Sequence, residues 1–399
     1  MRRAGWTFVG VLVVVAALVV VQLVRTPPPQ NVSISHPASL SVPGTASLSW
    51  PTSAEGAVDV GGVVQTSGTQ VARPIASLAK MMTAYIVLHD HPLTAGEAGP
   101  SITVTPTDVA IYNLDATSSG SVLAVTSGET LTEQQALQAL LVASADNIAE
   151  MLAQWDAGSI SAFVAKMNAT AKTLGMSHTT YTDPSGLEDT TVSTARDQLV
   201  MATKAMTIPA FAAIVALPEV TFPVGGTVQN YDYDIGHDGV IGIKTGSDSA
   251  ALGCWAFAAT RTVDGKARTV YGVVLGVPGT SLGLVEPSLS DGVALADAVP
   301  ATISTVSVVS AGAVVGHVDA PWRNDSIPVT AVRAVSGLAQ AGSTVSIHFD
   351  LRVPSGVTVN KGEVVGRLVA DFPGGAITTP LVAGASGTGP SLSWKLTHV

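Results

Sequence analysis

Hydrophobic positions along the chain fall into four regimes. Residues 5–24, GWTFVGVLVVVAALVVVQLV, form one apolar run, close to the ~20 residues a helix needs to cross a bilayer. Arg2 and Arg3 precede it, and this positive flank predicts a cytoplasmic N-terminus with everything after residue 25 outside the cytoplasm. A cleaved signal peptide would have a core of about 7–15 residues and a small-x-small exit. This run instead leaves through Gln22, Leu23, Val24 and Arg25, so residues 1–25 are expected to be an uncleaved anchor. Residues 26–45 are rich in Pro and Ser without an apolar period, and read as an extended tether. From 46 to 298 the periods mix. VDVGGVVQTSG (58–68) reads as strand, turn and strand, TLTEQQALQALLVAS and SISAFVAKMNATAKTLGM carry helical spacing, and TVYGVVLGV (269–277) reads as a strand, which predicts an α+β domain. From 299 to 399 the helical signal stops, and short Val/Thr/Ser runs such as STVSVVSA and EVVGRLVADF alternate with Gly, Pro and Asn turns. That pattern predicts a small all-β domain, a sandwich, ending at SLSWKLTHV without an amphipathic helix.

Composition changes this picture little. The chain has 399 residues, enough for about two to three domains. Charged residues make up 12% and mean hydropathy is +0.42, an apolar excess concentrated in the N-terminal run. Net charge is -10, and no Lys/Arg cluster lies outside the N-terminus, which argues against a nucleic-acid partner. Cys254 is the single cysteine, so no intrachain disulfide can form and a buried structural thiol is expected.

The candidate chemistry begins in PIASLAKMMTAY (74–85), where Pro74 suits a first helical position and Ser77 and Lys80 stand three apart. That spacing puts both side chains on one helix face. A neutral lysine amine can take the proton of a serine hydroxyl, so the pair suits acylation. The bland reading of Lys80 is a solvated helix lysine, yet it alone among the eight lysines has a serine three residues before it. In IGIKTGSDSAALGCWAF (241–257), Lys244, Thr245 and Gly246 end a run that reads as a buried strand. A cation and a hydroxyl there can bind a carboxylate, Gly246 leaves room for a substrate backbone, and the amides of Ser247 and Ser77 can form an oxyanion hole. A plain strand-end turn fits the same tripeptide. In LLVASADNIAEMLAQW (140–155), Ser144 opens a helical run with Asp146 and Asn147 in its first turn. Helix capping by Ser144 explains this, and so does a relay hydroxyl facing Lys80.

Taken together, the order S-x-x-K, then S-x-N, then K-T-G resembles the penicillin-binding serine acyltransferases. The phrases VARPIASLAKMMTAY, GETLTEQQALQALLVASADN, MNATAKTLGMSHTTYTDPSGLEDTTVSTARD and GVIGIKTGSDSAALG are similar to the D-alanyl-D-alanine carboxypeptidase family of low-molecular-mass penicillin-binding proteins, over about residues 56–280. NKGEVVGRLVADF and TTPLVAG resemble that family's C-terminal sandwich more loosely. The resemblance implies a β-lactamase/transpeptidase-like fold, an antiparallel sheet covered by helices with a helical subdomain. It implies Ser77 as acylated nucleophile, Lys80 as general base, Ser144 as relay to the leaving D-alanine, and Lys244 and Thr245 as holders of the terminal carboxylate. It also implies a peptidoglycan stem peptide as substrate, β-lactams as inhibitors, and no metal or organic cofactor. One position departs: the family's usual Asn aligns with Asp146, counted here with the substrate-binding wall, while Asn147 lies one step beyond. A carboxylate within about 4–6 Å of Lys80 would favour its ammonium form.

Two rival functions stay open: a β-lactamase on the same residues, and a wall-binding homologue with weak catalysis. Glu188 does not begin the E-x-x-x-N pattern of a class A β-lactamase, because Val192 stands four residues on, so Glu188 and Asp189 read as solvated loop carboxylates. His89, Asp90 and His91 form an H-x-H cluster where a helix should end before Pro92, read as a solvated turn without a third metal ligand. The other histidines make no Ser-His-Asp arrangement.

Overall fold

The computed structural model describes residues 2–117, 120–280, 283–352 and 358–398, with side chains from residue 8 onward. It divides into two compact units, residues 45–303 and residues 1–44 joined with 304–399.

The first unit is built on a five-stranded antiparallel sheet, ordered Val240–Asp248, Leu252–Val263, Lys266–Val277, Glu55–Val60, Val63–Thr66. The expected strand, turn and strand at 58–68 is the hairpin of the last two, turned at Gly61 and Gly62 with φ of +58° and +87°. Two consecutive positive φ values match the twist of a two-residue hairpin, and glycine adopts them without strain. The helix Val285–Ala298 packs on this sheet through Gly292, where a Cβ would sit 2.3 Å from the Trp255 ring. Trp255 itself stacks on Phe257 at 4.8 Å.

Helices Ala79–Asp90, Pro106–Thr117, Glu133–Leu141, Asp146–Ala157, Ile160–Thr173, Ala195–Ala205 and Pro209–Val215 also belong to this unit. The helix at 133 begins where TLTEQQ predicts, with Thr132 accepting from the Gln135 amide and Gln135 reaching back to the Thr132 amide in a capping box. Ser159 caps the helix at 160 by accepting from the Ala162 amide. An apolar core that includes Leu78, Leu140, Ala256 and Val273 joins these helices to the sheet.

The second unit is a β-sandwich, a seven-stranded sheet with the pair Ile303–Val309 and Val335–Gln340, around a core that includes Val315, Val329, Leu368 and Leu381. Here the sequence expectation is corrected. Residues 26–45 are not a free tether: Asn31–Ile34 pairs with Val314–Asp319, and Ser39–Ser41 pairs with Thr344–Leu351, at the two edges of the seven-stranded sheet. Strands this short show no period of their own, and their partners lie about 300 residues away in sequence. A short helix, Leu392–His398, also stands where none was expected. The helix Arg2–Val24 contains the described apolar stretch Phe8–Val24, and among the described residues no single helix is long and apolar enough to cross a membrane.

Candidate active site

Pro74 does not open the helix. Arg73 and Pro74 pair antiparallel with Ser193 and Val192, and a 3-10 turn, Ala76–Leu78, then carries Ser77 into the helix Ala79–Asp90. Ala76 takes a left-handed φ of +44°, which costs an L-residue energy and persists only where the surroundings hold it. The holder is the loop 183–187. Gly186, at φ +83°, lies so close to the Ala76 carbonyl that a Cβ would sit 1.8 Å from its oxygen. Asp183 Oδ2 fixes that loop by accepting from the amides of Ser185, Gly186 and Leu187 at 3.1, 2.7 and 2.9 Å and from the Ser185 hydroxyl at 2.6 Å. Sequence reasoning assigned this loop no role, although Asp-Pro-Ser-Gly is a strong turn signature.

Lys80 is fully buried. Its Nζ donates to Ser77 Oγ at 2.7 Å, to Asp146 Oδ1 at 2.5 Å and to the Ser185 carbonyl at 3.0 Å. Two of these partners are non-local, and only the first was legible from spacing. Asp146 therefore leaves the substrate-binding wall where the sequence reading put it: the side chain is buried and meets Lys80 instead. Asn147 likewise turns away, its amide clasping the Leu123 backbone at 3.0 Å in both directions.

Ser144 is not a helix cap. The helix starts at Asp146 with Ala145 at its N-cap, and Ser144 takes φ +56° in the turn before it. The Ser144 hydroxyl is not among the hydrogen-bond partners of Lys80. It lines, with Ser77, Thr245, Gly246 and Ser247, one cavity of about 290 Å³. Tyr231, Tyr233, Ser121 and Glu286 also stand in its wall, and no local pattern marks them in the sequence.

The strand Val240–Asp248 runs against the nucleophile turn. A Cβ on Gly246 would come within 3.0 Å of the Ser77 amide nitrogen and 3.1 Å of the Ile75 carbonyl, so only glycine lets the strand lie alongside that backbone. Lys244 is buried two residues before it, donating to the Thr245 carbonyl at 2.9 Å. Burial, and then the charge of Lys80, push its amine down to about 7, against the opposing pull of Asp146 and Asp232. A group so placed is a cation that neutral pH can remove.

The remaining candidates lie elsewhere. The H-x-H stretch is more than a solvated turn: Lys166 bridges Asp90 at 2.6 Å and buried Asp156 at 2.5 Å, His91 reaches Asp156 at 3.2 Å, and the His91 ring packs on Trp155 at 4.1 Å. Glu188 and Asp189 are exposed. Burial pushes the Cys254 thiol up to about 12, as an inert core residue requires. Among the described residues, no group of three or more His, Cys, Asp or Glu is placed to hold a metal.

Residues 57–279 match the family model for D-alanyl-D-alanine carboxypeptidase, more than half of the chain. The chain belongs to the D-alanyl-D-alanine carboxypeptidase family. Within that family it is similar to the D-alanyl-D-alanine carboxypeptidase DacB2 of Mycobacterium tuberculosis, 34% identical over 227 residues covering 55% of this chain and 72% of the relative. A D-alanyl-D-alanine carboxypeptidase of a Streptomyces species is 30% identical over 232 residues, covering 54% and 76%. Among solved structures, the Streptomyces K15 DD-transpeptidase aligns with a TM-score of 0.54 at 26% identity, over 63% of this chain and 98% of that one. Penicillin binding protein 5 from Haemophilus influenzae shares the fold over 86% of this chain and all of its own, at a TM-score of 0.62 and 20% identity.

Proposed function

We propose that this chain removes the terminal D-alanine from peptidoglycan stem peptides through an acyl-enzyme on Ser77, and that penicillins acylate the same hydroxyl. The observation that carries this reading is the 2.7 Å contact of Ser77 Oγ with Lys80 Nζ beside the cavity walled by Thr245, Gly246 and Ser247. In this reading Lys80, once neutral, takes the Ser77 proton as Oγ attacks the penultimate D-Ala carbonyl. Amides of Ser77 and Ser247 receive the developing oxyanion. Ser144 passes the proton to the leaving D-alanine, and Lys244 with Thr245 holds its carboxylate. Water then hydrolyses the acyl-enzyme.

The localisation belongs to the same proposal. The apolar run behind Arg2 and Arg3 supports an N-terminal membrane anchor, with the catalytic unit on the extracytoplasmic side where peptidoglycan lies.

The test is D-alanine release from a pentapeptide ending in D-Ala-D-Ala. Release by the unaltered protein and none by Ser77→Ala supports the reading. Rapid multiple turnover of penicillin without D-alanine release makes the protein a β-lactamase, and neither activity makes it a wall-binding homologue.

A further inference from the structure

Around Lys80 the charges are unevenly placed. From the helix Asp146–Ala157 come Asp146, in contact at 2.5 Å, and Glu150. The helix Pro106–Thr117 contributes Asp115 and the strand Val240–Asp248 a second cation, Lys244, both of which feel the charge of Lys80, while Asp183 and Glu188, in the loop after Tyr181, act on Glu150. Asp183 is occupied by the amides and hydroxyl of its own loop, so it does not serve Lys80. Of these charged groups, Asp146 is the one that touches the amine.

Its carboxylate is also held in place. The Asp146 amide donates to the Ser121 carbonyl at 2.7 Å, and the chain crosses Oδ2 at Gly120, where a Cβ would sit only 2.7 Å away. One oxygen thereby lies beside Gly120, where only glycine leaves it room, while the other accepts from Lys80. Asp146 also acts on its neighbours: after burial, its charge is a cause of the raised carboxyl of Asp115, and a lesser cause of the rise of Glu150 to about 7.

We propose that Asp146 is the positioning counter-ion of Lys80, holding it as an ammonium that donates to Ser77 Oγ, so that the resting site acylates slowly at neutral pH and gains rate as pH rises. The inference rests on the reading of Ser77 and Lys80 as the acylation pair. An ammonium has no lone pair with which to take the Oγ proton. In the reactive form one proton has left Nζ for solvent. The free amine then accepts the Oγ proton as the Oγ–C bond forms, and that proton goes to the leaving nitrogen as the C–N bond breaks. An amide in place of the carboxylate keeps the shape and removes the charge that favours the ammonium.

The experiment is the acylation rate at saturating fluorescent penicillin, from about pH 6 to about pH 10, for the unaltered protein, Asp146→Asn and Asp146→Glu, with thermal unfolding of each. Saturation separates this step from carboxylate binding at Lys244. The expected result is a rate that climbs above neutrality in the unaltered protein and in Asp146→Glu. In Asp146→Asn the climb moves down by about one pH unit or more, roughly tenfold in rate at neutral pH. Superimposable profiles for the unaltered protein and Asp146→Asn, with both folded, overturn the inference and leave the acylation reading intact. If Asp146→Asn does not fold, the unaltered protein decides: a flat profile between about pH 7 and about pH 9 overturns the inference. Absence of label on Ser77 at every pH overturns the acylation reading and this inference with it.

Discussion

If Lys244 is the cation that attracts a substrate's terminal carboxylate, binding of that carboxylate must weaken as the lysine loses its proton. An ordinary lysine, near 10.5, would stay charged throughout the neutral range, but burial and the nearby charge of Lys80 bring Lys244 down to about 7. Its charged fraction then falls from about nine-tenths at pH 6 to about one-tenth at pH 8. The affinity of the free protein for a carboxylate falls with it by about tenfold, or about 1.4 kcal/mol. Above pH 7, where most of the free protein carries a neutral Lys244, each carboxylate bound takes up a proton from solvent. The assay is competition against penicillin labelling by two D-Ala-D-Ala peptides, one with a free carboxylate and one amidated. The ratio of their affinities is expected to shrink about tenfold between pH 6 and pH 8. Calorimetry in two buffers of different ionisation enthalpy should register proton uptake at pH 8 for the free carboxylate only. A ratio that is constant over this range, or one that shrinks equally in Lys244→Ala, refutes the argument.

Two further predictions concern the loop beside the nucleophile turn and a buried carboxyl group away from it. Gly186→Ala is expected to lose penicillin labelling, because the backbone φ of +83° alone costs an L-residue about 1–2 kcal/mol and the added Cβ strikes the Ala76 carbonyl beside Ser77. Labelling at the unaltered rate with an unchanged melting temperature would show that the loop does not hold the nucleophile turn. Glu133 is buried with both carboxyl oxygens lacking a hydrogen-bond partner, and burial, with Glu97 adding, raises it from 4.5 to about 7. The folded state thus holds this proton more tightly than the unfolded chain, so its stabilising contribution is complete below about pH 4.5 and is lost as pH rises through about 7. Glu133→Gln should gain melting temperature over the unaltered protein progressively across that window, and a constant difference would contradict the sign.

What the sequence made legible is what depends on neighbours along the chain. Ser77 and Lys80 face each other because they stand three apart on one turn, and the Gly61–Gly62 hairpin and the Thr132 capping box follow from local chemistry. Lys244 through Ser247 ends its strand at the cavity because a long apolar run has few places to go except a buried sheet. What failed was decided by distant partners. Pro74 is drawn into a strand pair by Val192, the supposed tether is captured at both edges of a sheet by residues near the other end of the chain, and Asp146, assigned to the cleft wall, takes the other placement the sequence left open, against Lys80 across 66 positions. Ser144 misled for a different reason. Its residue type fits an N-cap, but its left-handed φ puts it outside the helix, and hydroxyl chemistry alone does not announce a backbone angle.

The central claim is that Ser77, with Lys80 against its hydroxyl, is an acylatable nucleophile, and mass spectrometry after incubation with benzylpenicillin tests it most directly. The account predicts one penicilloyl group per chain, located on the peptide that contains Ser77 and absent from folded Ser77→Ala and Lys80→Ala proteins. A label on any other residue, or an undiminished label in Ser77→Ala, would contradict it.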